Sequence, residues 1–445
     1  MSPVNIPATV AAVEMAGSDD RRYAGDVPVV EPDLSVVIPT HNRAERLHHT
    51  LRALAGQRLP RDRFEVVIAD DGSTDDTAAV VAAFEPDLTL RYARLDRDEA
   101  DIAAHGYCVS GVRNAGARLA GAPLIVFLDC GVIAGPDLLA AHLAAHAGAG
   151  PARSVLGYAF GTHKFRPFPD LAQLLRTRSP EEVAAAIGAG PRGLDLRHDV
   201  LPADGDLTGL AGPWILCWTL NMSVRATDFR AVGGFDENFR GWGYEDVELG
   251  YRLHRAGTRL VASRDAWGIE WPDRPDLAAL ETGAARNIEV FLARHRHPDV
   301  ELYACARGRN ILREFERDHA ALRAWTLRVR GLDPLPDLTG LPAAERMCVL
   351  GSGGVVPAGW PPTVLVDFDA EALSRLPAAG GHTPLHAVGL RTGLPDRAFD
   401  LVVITSRLAG VWDRWGGQLL AEARRVGRQV VCFADAAAPT VAGAR

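Results

Sequence analysis

The chain has 445 residues, 47% hydrophobic and 23% charged, with a formal net charge of -8 and a pI of about 6.0. That length accommodates two or three domains, and the acidic balance argues against nucleic acid or an anionic membrane surface as a general partner. The six cysteines make no CxxC or Cys/His zinc spacing, no apolar run is long enough to cross a bilayer, and the N-terminus lacks the basic-then-apolar order of a signal peptide, so a cytoplasmic protein with reduced thiols is expected. Lys164 is the sole lysine among many arginines, which suggests a GC-rich, bacterial coding sequence.

Residues 1–32 show no steady period and are expected to form a flexible arm. LSVVIP, from Leu34, is a short β-branched run of the kind that makes a buried parallel strand. A helix over 43–56 follows, with Leu47, Leu51 and Leu54 inward. FEVVIAD (64–70) is a second buried strand ending in the turn sequence DGSTDDT, and a helix over 77–84 comes next. A strand over 88–94, a helix over 109–119 and the strand PLIVFLD (123–129) complete an alternating run. Strand and helix in alternation predict an α/β domain with a mostly parallel sheet. Residues 150–213, rich in Gly, Pro and charge, read as a long excursion with one short helix near 181–187. Apolar character returns at 216–224, with a short helix over 227–232, a strand over 258–262 and helices over 277–295 and 309–330. Residues 331–345 form a linker, and a second alternating pattern fills 346–445.

In open α/β sheets ligands sit at the carboxyl ends of the strands. Thr40, Asp70, Asp71 and Asp129 all fall there. Pro39, Thr40 and Asn42, with Asp70 or Asp71, can supply a polar pocket for a nucleotide base; a capped turn is the plain alternative. Arg113 and Asn114 can contact a nucleotide or its phosphates, or merely cap a helix at the surface. The run GWGYEDVELGYRLHRAG (241–257) puts Glu245 and Asp246 at a helix start, where backbone N–H groups and the helix dipole hold a carboxylate. Held there, one of the pair can take a proton from a hydroxyl nucleophile. Trp214, Trp218 and Trp242 can offer flat apolar faces to an acceptor, although each alone suits core packing equally well. His295 and His297, near a helix end, read as structural.

VVIPTHNR followed by VVIADDGSTDDT, then GVRNAGARLAGAPLIVFLD, then NMSVRATDFRAVGGFDENFRGWGYEDVELGYRL occur in that order. Together they resemble a family 2 glycosyltransferase of GT-A fold over Leu34 to about Arg294, the last segment being similar to β-1,4-galactosyltransferases and chondroitin polymerases. The domain is therefore expected over 33–330. The resemblance implies an inverting transfer of a sugar from a nucleotide donor, with UDP recognised by the acidic pair Asp70–Asp71. It makes Asp246 the general base and Glu245 an acceptor-orienting partner. It also implies an Asp-x-Asp motif that binds ribose and a divalent metal, Mn or Mg, at Asp129. The chain reads Asp129-Cys130-Gly131, without the last carboxylate, and the stretch AWGIEWPDRP lacks the histidine that relatives use. Glu270 or Asp273 replaces the missing ligand, or arginines and backbone amides do the metal's work, or activity is lost. The acceptor is expected to be a soluble small molecule, peptide or glycan. The alternative reading is a catalytically impaired carbohydrate- or nucleotide-binding protein.

GLPDRAFDLVVITSRL, LLAEARRVGRQVVCF, VLGSGG and Asp367 resemble parts of a class I methyltransferase. Only about a dozen residues separate VLG from TVLVDFD, too few for the usual crossover helix with its turns. A shrunken Rossmann-like module is expected that does not bind S-adenosylmethionine and serves homo-oligomerisation, acceptor docking or bracing.

Overall fold

The computed structural model describes residues 31–95, 108–148, 150–161, 168–272, 276–306, 310–376, 380–435 and 440–443. Residues 1–30 of the expected N-terminal arm, and residues 96–107, lie outside them. Two compact units divide the chain: one runs to Gly209 and resumes over Pro213–Ala284, the other comprises Leu210–Gly212 and Ala285–Arg445.

The first unit is a mixed α/β layer structure. Its strands are β1 (Leu34–Thr40), β2 (Phe64–Asp70), β3 (Leu90–Arg94), β4 (Leu124–Leu128), β5 (Val132–Ala134), β6 (Arg153–Phe160), β7 (Asn221–Arg225) and β8 (Arg259–Glu270). They form one sheet in the order β3-β2-β1-β4-β7-β6-β8-β5. β3, β2, β1 and β4 are parallel; β7 is antiparallel to both β4 and β6. β6 and β8 are parallel, and β5 closes the edge antiparallel to β8. The sheet is thus mixed rather than mostly parallel. The helices are α1 (Ala44–Ala55), α2 (Thr77–Ala83), α3 (Val109–Leu119), α4 (Leu138–His146), α5 (Leu171–Thr177), α6 (Pro180–Gly188), α7 (Ala226–Ala231) and α8 (Glu245–Arg255).

β2 and β4 are buried along their whole length because helices cover both faces, hence their uninterrupted apolar runs. α3 lies close on β1: a Cβ at Gly116 would stand 2.5 Å from Val37 Cγ1. β1 registers residue for residue with β2, so Thr40 stands opposite Asp70 at the rim. The excursion expected over 150–213 contains more structure than its composition suggests. β6 runs through it, and α5 precedes the expected short helix. β8 also continues past Ala262 to Glu270.

The second unit begins within α9 (Leu277–Arg294) and holds α10 (Pro298–Cys305), α11 (Ile311–Val329), α12 (Ala370–Leu373) and α13 (Trp412–Val426). Its strands are β9 (Met347–Leu350), β10 (Thr363–Asp367), β11 (Thr383–His386), β12 (Phe399–Ile404), β13 (Gly427–Cys432) and β14 (Thr440–Gly443), in the order β11-β10-β9-β12-β13-β14. All neighbours are parallel except β13 and β14. Residues 351–362, which cross from β9 to β10, contain no helix.

The division falls near residue 284, upstream of the linker at 331–345. The reason is buried polar bonding downstream of it. The Glu301 carboxylate on α10 is 2% exposed and accepts from the backbone N–H groups of Val388, Gly389 and Arg391. Burial pushes its pKa up to about 7 even so. On α11, Trp325 Nε1 donates to the Arg407 carbonyl at 2.9 Å, and Glu316 accepts from the N–H groups of Ala211 and Gly212. Helices read as part of the first domain are therefore bonded into the second unit. Glu301→Ala leaves three N–H groups without an acceptor and should cost about 3 kcal/mol or more. Scanning calorimetry checks this; an unshifted transition would show that the clasp is dispensable.

Candidate active site

The rim formed by β1, β2 and β4 brings together residues from four separate stretches of chain. Asp129 follows β4, and its N–H donates to the Leu220 carbonyl at 3.0 Å. Arg113, on the second turn of α3, reaches it: one guanidinium nitrogen lies 2.7 Å from Asp129 Oδ1 and the other 3.2 Å from Glu245 Oε1. Arg113 is 3% exposed and also lies over the Phe235 ring. The Asp129 side chain is 40% exposed, so the triad opens to solvent on that side.

Glu245 and Asp246 occupy the first turn of α8 because the preceding turn is tightly wound. Gly241, Gly243 and Tyr244 all have positive φ (71°, 103° and 72°). Tyr244 alone among them carries a Cβ, and holding it there costs on the order of 1–3 kcal/mol. Asp246 is half-buried and accepts from the N–H of Val247 at 2.7 Å. Burial, and next the charge of Glu245, raise its pKa to about 7, against the pull of Arg113 and the Val247 N–H. A carboxylate so tuned is half-protonated near neutral pH, as suits a general base. Glu245 Oε2 and Arg113 Nε are buried without a hydrogen-bond partner among the described residues. Both atoms belong to the same triad, so polar capacity is concentrated here.

Several residues expected as ligands are bonded into the rim. Asp70 is fully buried: one oxygen accepts from the N–H and hydroxyl of Ser73, the other from Tyr92 at 2.6 Å. Of the acidic pair it is thus the structural member. Asp71 is buried at the rim beside it; its N–H donates to the Thr40 carbonyl, and its own carbonyl meets His41 Nδ1 at 2.8 Å. Asn42 has φ 50° and its amide oxygen accepts from the N–H of Thr74 at 2.7 Å, which staples the β1–α1 and β2–α2 connections together. Pro39 is half-buried in β1 beside Thr40. The Asn114 amide bonds the backbone of Phe235 in both directions and the Glu237 carboxylate. Arg113 reaches acidic side chains rather than opening a phosphate-binding helix end.

The tryptophans divide. Trp214 is fully buried, edge-on to Tyr251 at 5.2 Å, and is core rather than acceptor surface. Trp218 is half-buried with the Arg197 guanidinium 4.5 Å from its ring centre. Trp242, on the glycine turn before Glu245, is 46% exposed. His297, expected as a cation near a helix end, sits at the N-terminus of α10, where its ring accepts from the N–H of Asp299.

The described residues offer a metal few side-chain donors. Among the described residues no group of three or more His, Cys, Asp or Glu side chains gathers where it could hold an ion. Asp129 faces Arg113, and burial pushes the Cys130 thiol up to about 11, leaving it protonated and soft. Glu270 ends β8 opposite Val132; Asp273 lies outside the described residues.

The family model for glycosyl transferase family 2 matches residues 35–164, and the model described as the N-terminal domain of galactosyltransferase matches residues 207–270. The chain is 41% identical over 414 residues to validoxylamine A glucosyltransferase of Streptomyces hygroscopicus subsp. jinggangensis (strain 5008), covering 90% of this chain and 96% of that one. The chain belongs to the family 2 glycosyltransferases. This glycosyltransferase is also 29% identical over 271 residues to chondroitin synthase of Pasteurella multocida (strain Pm70), covering 58% of this chain and 27% of that one. Among solved structures, a Pyrobaculum calidifontis mannosyltransferase in complex with GDP-Man and Mn2+ is 19% identical with a TM-score of 0.43, covering 69% of this chain and 77% of that one. The fold is GT-A-like, the enzyme is a nucleotide-sugar-dependent transferase, and no helix among the described residues is long and apolar enough to cross a membrane.

The pKa of about 7 has a consequence of opposite sign for activity and for stability. A general base at Asp246, the role expected from the sequence, accepts a proton only when ionised, so that role predicts that kcat/KM falls about tenfold per unit below pH 7 and levels off above it. The folded chain holds the proton more tightly than the unfolded one between pH 3.8 and 7, so ionisation of Asp246 costs stability as pH rises through that window. Asp246→Asn should therefore melt a few degrees higher than the parent at pH 8, with the gap closing below pH 4. Thermal melts across pH test this; a gap independent of pH would show that Asp246 titrates normally.

Proposed function

We propose that the enzyme transfers a hexosyl residue, glucose first among the candidates, from a UDP-sugar to a hydroxyl of a small soluble acceptor in the bacterial cytoplasm, with inversion at the anomeric carbon. The observation that carries this reading is Asp246, a half-buried carboxylate of raised pKa beside the Arg113–Asp129–Glu245 triad. The relative named as a validoxylamine A glucosyltransferase aligns along nearly all of both chains, which favours an acceptor of that kind over a growing polysaccharide.

The base of the nucleotide sits against the Pro39–Thr40 strand end and Asp71, with Asp129 on the ribose and diphosphate side. Arg113 fixes Asp129 and Glu245, so neither carboxylate has to reorganise as the reaction proceeds. Glu245 orients the acceptor with its unpartnered oxygen. Asp246 takes the proton of the acceptor hydroxyl as that oxygen bonds to the anomeric carbon from the face opposite the leaving group. The bond from that carbon to the β-phosphate oxygen breaks, and its electron pair leaves with UDP. The exposed face of Trp242 covers the acceptor.

The C-terminal module braces the enzyme or docks the acceptor rather than binding S-adenosylmethionine. Asp367, which stands where a ribose ligand would be needed, is fully buried against Arg407 at 3.0 Å.

UDP release and product formation with UDP-glucose and validoxylamine A, the acceptor named for the relative, test the reading. Asp246→Asn should lower kcat by about 10²–10⁴-fold with little change in the donor KM. No UDP release from any sugar nucleotide would instead identify a binding protein of this fold, and an Asp246→Asn rate equal to the parent's would remove Asp246 as the base.

A further inference from the structure

Trp218 stands in a short passage of chain that touches both halves of the proposed site. Cys217, the residue before it, packs on α8: a Cβ built at Gly250 would stand 2.4 Å from Cys217 Sγ and 3.1 Å from the Trp214 carbonyl oxygen. Gly250 lies one helical turn after Asp246, so the two share a face of α8. Leu220, just after Trp218, accepts from the N–H of Asp129 at 3.0 Å. Residues 217–220 therefore lead from the Asp246 face of α8 to the Asp129 end of β4.

One face of the Trp218 ring is covered by a buried ion pair. The Arg197 guanidinium carbon lies over the ring, 4.5 Å from its centre. Arg197 is 2% exposed and Asp195 3%. They pair through two bonds, Arg197 Nε to Asp195 Oδ1 at 3.0 Å and Nη2 to Oδ2 at 2.7 Å. Arg197 Nη1 also donates to the Leu216 carbonyl at 2.9 Å, and Nη2 to the Gly157 carbonyl at 2.7 Å. Asp195 accepts further from the N–H groups of Ala159 and Arg197. A planar guanidinium held by these four bonds fixes the plane of the ring beneath it. The pair is neutral as a whole, so it orients the ring without adding net charge to the cleft. Apolar residues of equal volume often match a buried ion pair in stability, which points to a positional role for this one. Burial pushes the Cys217 thiol up, the charge of Asp246 pushes it further and that of Arg197 draws it down, so both groups stand near this one residue. Trp218 itself is half-buried, and part of its ring meets solvent.

We infer that the Asp195–Arg197 pair holds the Trp218 indole as a platform for the ring face of a cyclic polyol acceptor, beside Asp246. The inference rests on the transferase reading above and adds the chemical class of the acceptor and what orients it. A six-membered polyol carries hydroxyls around its edge and C–H bonds on its faces. A flat indole meets such a face and leaves the edge hydroxyls to Glu245 and Asp246. Arg197 touches no substrate in this arrangement; it is a positioning residue that acts through Trp218.

The test uses the full-length enzyme with UDP-glucose and validoxylamine A, measuring the acceptor KM by transfer and UDP affinity by calorimetry. Trp218→Leu keeps apolar volume and loses the flat face. It should raise the acceptor KM about tenfold and leave UDP affinity within about twofold, while Trp218→Phe should stay within about threefold of the parent's KM. Removing Arg197 alone would strand the Asp195 charge, so both are changed together. Arg197→Met with Asp195→Asn keeps an oxygen for the two backbone N–H groups and should raise the acceptor KM about fivefold. Adding Trp218→Leu to that pair should raise KM no further than Trp218→Leu alone, because both changes act through one ring. An unchanged acceptor KM in Trp218→Leu would overturn the inference and leave the transferase reading intact. So would a loss of UDP affinity as large as the rise in KM, since the ring would then serve the donor. Independent, additive effects would remove Arg197 as the positioning residue. If the double variant does not fold, the contrast between Trp218→Leu and Trp218→Phe still decides the platform. No transfer by the parent enzyme would remove the acceptor reading itself, and the inference with it.

Discussion

The proposed active site depends on one buried cation. Arg113 is almost wholly removed from water, and a buried guanidinium is tolerable only when anions surround it. Asp129 and Glu245 satisfy that need from opposite sides, one after β4 and the other on the first turn of α8. The pairing draws the carboxyl end of a central strand and the N-terminus of a helix more than a hundred residues later into one cleft. It also sets the electrostatics around Asp246. That carboxylate sits beside a second acid whose charge is only partly offset, and so it holds its proton to near neutrality.

Much of this was legible in the residues. The buried strands announced themselves through unbroken runs such as VVIP and VVIAD, which only a doubly covered sheet requires. The Glu245–Asp246 pair was visible because a glycine-rich turn and an amphipathic helix bracket it. What was hidden follows from polar packing rather than periodicity. β6 was lost among residues that look like loop because Gly157 interrupts its apolar run. That glycine exists for the Asn221 side chain, whose amide nitrogen would lie 2.2 Å from a Cβ and which donates to the carbonyls of Tyr158 and Ala266. Arg113 looked like a phosphate contact because a lone arginine gives no hint of its partners. The bonds that Asp70, Asn42 and Asn114 make within the protein were hidden for the same reason: a side chain that locks a turn and one that meets a solute have the same composition. Trp214 and Trp242 differ in role only through burial, which a single tryptophan does not encode.

These locks explain why the rim needs so many polar residues. A rim made of strand ends and connections has few regular hydrogen bonds of its own. Asp70 with Ser73 and Tyr92, Asn42 with Thr74, and Asn114 with Phe235 and Glu237 supply them, so each connection is fixed before any donor arrives. Preorganisation of this kind keeps the reacting groups from having to move as charge develops.

The Glu301 clasp bears on how the chain can be taken apart. A cut placed in the Gly-Pro stretch after residue 330, where composition invites it, would strip this carboxylate of its three amide donors and leave α10 and α11 attached to the wrong fragment. Whoever wishes to express the sugar-transferring half by itself would do better to stop near Ala284 and to expect the short passage 210–212 to lose its anchor on Glu316.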